Sequence, residues 1–186
     1  FNWSTLREAL IKEETLPNLD FGKHIIPYIH EKGLPMYAYE FNGYWKDVGT
    51  LNSYWEANME LIDIVPEFNL YEEYWKIYTR SETLPPQYYA PGSVIERSIV
   101  GEGSEIYGKV YNSVIGCGVT IGKDTVIKDS IVMNNTQIGD NCELVKTIVA
   151  ENVTIGNNDR FGFGDSAENE TDPHIYNHDL VCIGEK

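Results

Sequence analysis

Through residues 94–156 an aliphatic side chain returns every six positions: Val94, Val100 and Ile106, then Ile115, Ile121 and Ile127, then Val132, Ile138 and Leu144, then Val149 and Ile155. Five of these, Val100, Ile115, Ile121, Ile138 and Ile155, are followed directly by glycine. A longer period overlies the short one. Ser113-Val114-Ile115, Ser130-Ile131-Val132 and Thr147-Ile148-Val149 stand 17 residues apart, with Ser98-Ile99-Val100 a shorter step before them. A 3.6-residue helix cannot produce a period of six, nor can a simple two-residue alternation. A coil of three short strands can, if each side turns one aliphatic residue inward. Stacked at the usual strand spacing of about 4.8 Å, four such coils make a prism about 20 Å tall, with aliphatic columns inside and backbone hydrogen bonds between coils. Glycine after the aliphatic position suits a corner, where it takes backbone angles that strain other residues. An antiparallel β-domain instead predicts alternation by two and no constant 17-residue step.

The repeats resemble the left-handed parallel β-helix of hexapeptide-repeat proteins, which gives residues 91–186 as one domain. The preceding residues divide at Pro66. Residues 1–65 mix helical and strand patterns, and residues 66–90 form a connector with Tyr71, Tyr74, Trp75, Tyr78, Tyr88, Tyr89 and the Pro85-Pro86 pair. So aromatic a connector predicts packing of the two parts against each other rather than a loose tether.

Charge narrows the partners. The net charge is −15, with seven basic and fourteen acidic residues before Pro91 and seven against fifteen from there on. An evenly acidic chain without a basic stripe is a poor match for nucleic acid or an anionic membrane surface. No apolar run approaches 18 residues, and Phe1-Asn2-Trp3-Ser4 lacks the pattern of a signal peptide, so the expected location is cytoplasmic. Phe1 in place of an initiating Met leads to the expectation that the chain is part of a longer one. Cys117, Cys142 and Cys182 are odd in number and lack CxxC spacing, so neither a disulfide framework nor a zinc site is expected. His174 and His178 are four apart, but Pro173 argues against the helix that would make them a ligand pair.

In chain order, residues 3–14 predict a helix with Leu6, Ala9 and Leu10 on one face and Ser4 or Thr5 as its cap. Residues 20–32 predict a second, capped by Asp20, ended by Gly33 and made irregular or late by Pro27. Residues 36–41 read as a strand. After a turn, Leu51, Tyr54, Trp55, Met59 and Ile62 predict a helix with one apolar stripe. Residues 157–178 form a polar insertion, and residues 180–184 one more side of a coil.

The chemistry concentrates in Gly43-Tyr44-Trp45-Lys46-Asp47-Val48-Gly49-Thr50, which sets one acid in an aromatic turn between a strand and a helix. A carboxylate there can ligate a hard cation such as Mg²⁺, whose shell is completed by phosphate oxygens and water. It can equally stabilise the turn through an Asx hydrogen bond, with Thr50 capping the helix.

Tyr44-Trp45-Lys46-Asp47-Val48-Gly49-Thr50, with the following Tyr54-Trp55-Glu56-Ala57-Asn58, resembles the YW-R/K-DVGT…YW-x-AN segment of bacterial glucose-1-phosphate adenylyltransferases, the ADP-glucose pyrophosphorylases of glycogen synthesis. Asp20-Phe21-Gly22-Lys23 with Ile25-Ile26-Pro27 is similar to that family's DFGK-x-[IL]IP segment. The resemblance implies the end of an α/β Rossmann-like nucleotidyltransferase domain followed by a left-handed β-helix. It implies that Asp47 ligates a catalytic Mg²⁺ and that Asp20, Phe21 and Trp45 line the glucose 1-phosphate pocket. Each has a plainer reading: Asp20 as a helix cap, Phe21 and Trp45 as core. The implied reaction joins ATP and glucose 1-phosphate into ADP-glucose and pyrophosphate. The resemblance also implies an allosterically regulated tetramer, built through the β-helix.

That family's glycine-rich phosphate loop, its first metal-binding aspartate and its substrate-phosphate lysine have no counterpart in these residues. The chain by itself is therefore expected to be inactive. Lys46 stands where many of the family have Arg, which keeps the charge and loses the planar fork. Two alternatives stand beside the catalytic one: a non-catalytic regulatory subunit of the same assembly, and a nucleotidyltransferase for another sugar phosphate. A hexapeptide acyltransferase would want a histidine in the coils, and residues 94–156 contain none.

Overall fold

In the computed structural model, the inward aliphatic residues of the repeat stack into three continuous columns, one on each face of a parallel β-helix. Residues 1–15, 17–70, 72–79, 83–162 and 180–184 are described. Tyr71, His174, His178 and most of the polar insertion lie outside them. Three five-stranded parallel sheets form the faces. The first joins Tyr88–Tyr89, Glu105–Ile106, Thr120–Ile121, Gln137–Ile138 and Thr154–Ile155. The second joins Val94–Glu96, Lys109–Tyr111, Val126–Lys128, Glu143–Val145 and Arg160–Phe161, and the third joins Ile99–Val100, Val114–Ile115, Ile131–Val132, Thr147–Val149 and Val181–Ile183.

The register explains the period. Ile106, Ile121, Ile138 and Ile155 pair in one column. Val110, Ile127 and Leu144 pair in the second, and Val100, Ile115, Val132, Val149 and Ile183 in the third. Most of these side chains are fully buried in one cluster. Each coil hides its apolar residues against near copies of itself, so the pattern repeats with the coil. At the start the sequence reading is off by one: Ile95, not Val94, is the residue packed against the core and paired with Val110. Tyr88 and Tyr89, expected in the connector, form the first strand of the first sheet.

The corners also differ from expectation. Gly101 and Gly122, which follow aliphatic positions, are not in the positive-φ set. They are needed for closeness, since a Cβ on Gly101 would sit 2.7 Å from the Cys117 backbone nitrogen in the next coil. Left-handed angles fall mainly on Asn and Asp, whose short polar side chains tolerate them. Asp124, Asn141 and Asn158, with φ of 58°, 58° and 65°, occupy one corner at 17-residue steps. Buried hydroxyls satisfy the backbone inside: Ser113 Oγ accepts from Ser130 N at 3.1 Å, and Ser130 Oγ accepts from Thr147 N at 3.0 Å. Among the described residues the cysteines are free, and burial pushes the Cys182 thiol up.

The chain divides into two compact units, Phe1–Gly43 and Tyr44–Lys186. The first contains α1 (Trp3–Lys12), a π-helical turn over Phe21–Ile25 and α2 (Ile26–Glu31). Ala9, Ile25 and Ile29 are buried together, with Leu6, Leu10 and Tyr28 against them. Asn2, not Ser4 or Thr5, caps α1, accepting from Ser4 N at 3.0 Å. The wide π turn ahead of Ile26 is the irregularity expected from Pro27, and Gly33 ends α2 at φ 64°. Residues 36–41 form no strand: no partner among the described residues offers them hydrogen bonds, and Tyr37 and Tyr39 are 92% and 87% exposed.

In the second unit α3 (Leu51–Glu60) lies on the third sheet. Leu51, Tyr54, Trp55 and Met59 pack against a buried cluster of Ile131, Ile148 and Leu180, which Val114 and Met133 also adjoin. Within the connector, Phe68 stacks on Tyr44 with ring centroids 5.1 Å apart, whereas Tyr74, Trp75 and Tyr78 are exposed instead of packed. No helix among the described residues is long and apolar enough to cross a membrane.

Candidate functional site

Residues 44–47 alternate in their surroundings, as an extended segment must when only one side meets a neighbour. Tyr44 and Lys46 are half-buried and tied to α3; Trp45 and Asp47 are exposed. The Lys46 ammonium donates to Glu60 Oε1 at 2.7 Å and to Glu56 Oε2 at 3.1 Å. The Tyr44 hydroxyl donates to the other Glu60 oxygen at 2.8 Å, and the Asn52 amide holds the second Glu56 oxygen at 2.8 Å. Hydrogen bonds from Lys46 and then Tyr44 hold the Glu60 carboxyl below its ordinary value. The same contacts raise Lys46, through Glu60 and then Glu56, and raise Tyr44 through Glu60. Sequence reasoning missed this clamp. Its signal is a pair of acids four apart on the helix, opposite a lysine ten residues upstream.

Asp47 closes the turn. Its Oδ1 accepts from Gly49 N at 3.0 Å, and Thr50 then caps α3, accepting from Ser53 N at 3.2 Å while Ser53 Oγ accepts from Thr50 N at 3.1 Å. The Asx turn and cap read from residue types are therefore both present. The second Asp47 oxygen has no hydrogen-bond partner among the described residues and is exposed. Trp45 is 76% exposed and is not core. It borders a groove of about 420 Å³ shared with Val48, Tyr54, Leu61 and Phe68. The arrangement offers a flat aromatic face and a carboxylate oxygen from alternate positions of one short segment.

Asp20 and Phe21 belong to the first unit. Asp20 Oδ1 accepts from Lys23 N at 2.7 Å, and Asp20 N donates to His24 Nδ1 at 3.0 Å, a reciprocal cap of the π turn. Phe21 is 48% exposed rather than core, and its ring meets Phe1 edge-on with centroids 5.7 Å apart. Trp45 and Asp47 share one turn of the second unit; Asp20 and Phe21 share the start of one helical segment of the first.

As a cation site, Asp47 contributes one open oxygen. No group of three or more His, Cys, Asp and Glu side chains among the described residues is placed to hold a metal. An open carboxylate oxygen is the kind of donor that Mg²⁺ takes beside phosphate oxygens and water.

The family matches divide the chain differently from the compact units, whose boundary falls between Gly43 and Tyr44. The sequence model of the family described as "GlmU-like, C-terminal hexapeptide" matches residues 88–183, and that of the family described as "Nucleotidyl transferase" matches residues 1–64. The chain is 59% identical over its whole length to a glucose-1-phosphate adenylyltransferase of Lachnospira eligens. It is 47% identical over its whole length to one of Acetivibrio thermocellus, and 51% identical over 99% of its length to one of Thermotoga maritima. It spans 44% of the length of each of these relatives. The chain thus belongs to the GlmU-like, C-terminal hexapeptide family, its repeats preceded by a segment of the nucleotidyl transferase family.

Proposed function

We propose that the chain is part of a cytoplasmic glucose-1-phosphate adenylyltransferase that supplies ADP-glucose for glycogen synthesis. The observation that carries the reading is the pairing of an exposed Trp45 ring with an open Asp47 oxygen on one clamped turn, in a chain 59% identical to an enzyme of that name. In the reaction a phosphate oxygen of glucose 1-phosphate attacks the α-phosphorus of ATP, forming a new P–O–P phosphoanhydride link as the α–β anhydride bond of ATP breaks and pyrophosphate leaves. Asp47 would hold Mg²⁺, which when bound supplies positive charge to neutralise the phosphate oxygens. Trp45 and Phe21 would offer flat apolar faces to the sugar, and the Asp20 carboxylate an acceptor for one of its hydroxyls.

Asp20 Oδ1 and Asp47 Oδ1 are already engaged with the backbone, so each carboxylate is oriented before substrate arrives. A single carboxylate cannot align ATP and a second phosphate, and these residues by themselves are expected to give no turnover. A tetramer formed through the β-helix domain, open to allosteric control, follows from the same reading.

The test is initial pyrophosphate release from ATP and glucose 1-phosphate with Mg²⁺, comparing the whole protein that contains this chain with its Asp47→Asn variant. A loss on the order of a hundredfold with the fold intact supports the reading. Equal rates would leave Asp47 a turn residue. An inactive whole protein would point to a regulatory subunit or to another sugar phosphate.

A further inference from the structure

α3 meets the Asp47 turn with one face and the β-helix with another. On the turn side, Glu56 and Glu60 hold Lys46 and Tyr44, and Thr50 caps the helix directly after Gly49. On the other side, apolar contacts from Leu51, Tyr54 and Met59 to the third sheet are joined by one directional contact. The Trp55 indole N–H donates to the Asp129 carbonyl at 2.8 Å. The Lys146 ammonium lies 5.3 Å from the centroid of the same ring.

Asp129 is itself fixed. It is a corner residue at φ 51°, its backbone N–H donates to the Tyr111 carbonyl at 3.1 Å, and its carboxylate accepts from the Asn112 amide at 2.6 Å. The carbonyl that receives the indole thus belongs to a coil held on its neighbour. Apolar packing alone leaves a helix free to slide or roll by fractions of an ångström, whereas an N–H···O bond weakens steeply with distance and angle.

We infer that Trp55 is a positioning residue for Asp47: by pinning α3 to the Asp129 corner of the β-helix, it sets where the Asp47 carboxylate is presented. The inference rests on the proposed reading of Asp47 as a metal-holding carboxylate. It assigns the β-helix a mechanical part in the reaction through one indole, and all the groups involved lie within the second compact unit.

The test is a double-mutant cycle in the whole protein, with Trp55→Phe and Asp47→Asn separately and together, read as kcat/KM for pyrophosphate release. Phenylalanine keeps an aromatic ring on the sheet and removes the N–H. With Asp47 present, Trp55→Phe should lower kcat/KM about tenfold and raise the Mg²⁺ concentration for half-maximal rate, because a misplacement of about 1 Å can cost about a hundredfold and a shift of a fraction of that costs less. In the Asp47→Asn background the same change should cost less than about twofold, since the group it positions is gone.

Equal factors in the two backgrounds would overturn the inference while leaving Asp47 catalytic, and so would no loss from Trp55→Phe with Asp47 present. No loss from Asp47→Asn alone would overturn the underlying reading, and the inference with it. Circular dichroism and the melting temperature report whether Trp55→Phe folds. If it does not, Asn112→Gly, which releases the Asp129 corner that receives the indole and suits the positive φ of residue 112, enters the cycle with the same deciding outcomes.

Discussion

The β-helix and the Phe1–Gly43 unit carry apolar residues to very different effect. In the coils, Ile106, Ile121 and Ile127 are fully buried by neighbours of the same kind. In residues 1–43 three side chains, Ala9, Ile25 and Ile29, form the buried centre, while Met36, Tyr37, Tyr39 and Phe41 are exposed. The difference is one of how burial is arranged. A repeat supplies its own partner every 15 to 17 residues, so its core, its hydrogen bonds and its sequence pattern are one thing. A helix or an extended segment must meet something unlike itself, and its own pattern does not name that partner.

The largest expected effect sharpens this contrast. Ile127→Ala removes a fully buried side chain from a column with no slack and should cost about 2–5 kcal/mol, read by urea unfolding with a β-sheet signal. Tyr39→Ala, at a similarly apolar but 87% exposed position, should stay within about 0.5 kcal/mol. Equal costs would break the comparison. Next in size is the polar interior of the coils. Thr125 Oγ1 donates to the Gly139 carbonyl at 2.7 Å and accepts from Cys142 N at 3.0 Å. Thr125→Val keeps the shape and leaves the buried Cys142 N–H, and the partly buried Gly139 carbonyl, without this partner, so a loss of about 1–3 kcal/mol is expected, with Thr125→Ser recovering most of it.

The same distinction governs what was legible in the sequence. The six-residue period gave three columns and their register, apart from the choice between Val94 and Ile95 at an end coil where only one neighbour constrains the strand. The strand expected at residues 36–41 rested on propensity alone, which tertiary pairing decides. The stripe of Leu51, Tyr54, Trp55 and Met59 predicted an apolar face on α3, but not what it covers. That partner was also written in the repeat. The middle residues of the triplets spaced 17 apart, Val114, Ile131 and Ile148, are apolar at outward positions, where the first sheet carries Glu105, Thr120, Gln137 and Thr154. For the site, residue types alone gave the Asx turn at Asp47 and the caps at Asp20 and Thr50. The exposure of Trp45 and Phe21 was not legible, because an aromatic residue fits a core and a binding face equally well. The Lys46 clamp escaped because it joins a lysine to acids on a helix whose facing side had no independent sequence marker.

The smallest effect tests that clamp through pH. Glu60 is held below its ordinary value in the fold, so its contribution is present above the ordinary carboxylate range and is lost as the pH falls through the lowered folded value. Lys46 and Tyr44 are held above theirs. Their contributions are complete below the ordinary lysine and tyrosine values and are lost as the pH rises through the raised ones. The clamp should therefore be intact across the neutral range and weaken at both ends. The measurement is the stability difference between the native chain and Glu60→Gln at low salt. It should be flat near neutrality, shrink below about pH 4 and again above about pH 10, and fall when salt screens the exposed charges. A difference unchanged by pH and salt would mean that Lys46 and Tyr44 do not hold the turn to α3 in solution. The alternation that leaves Trp45 and Asp47 exposed would then need another cause.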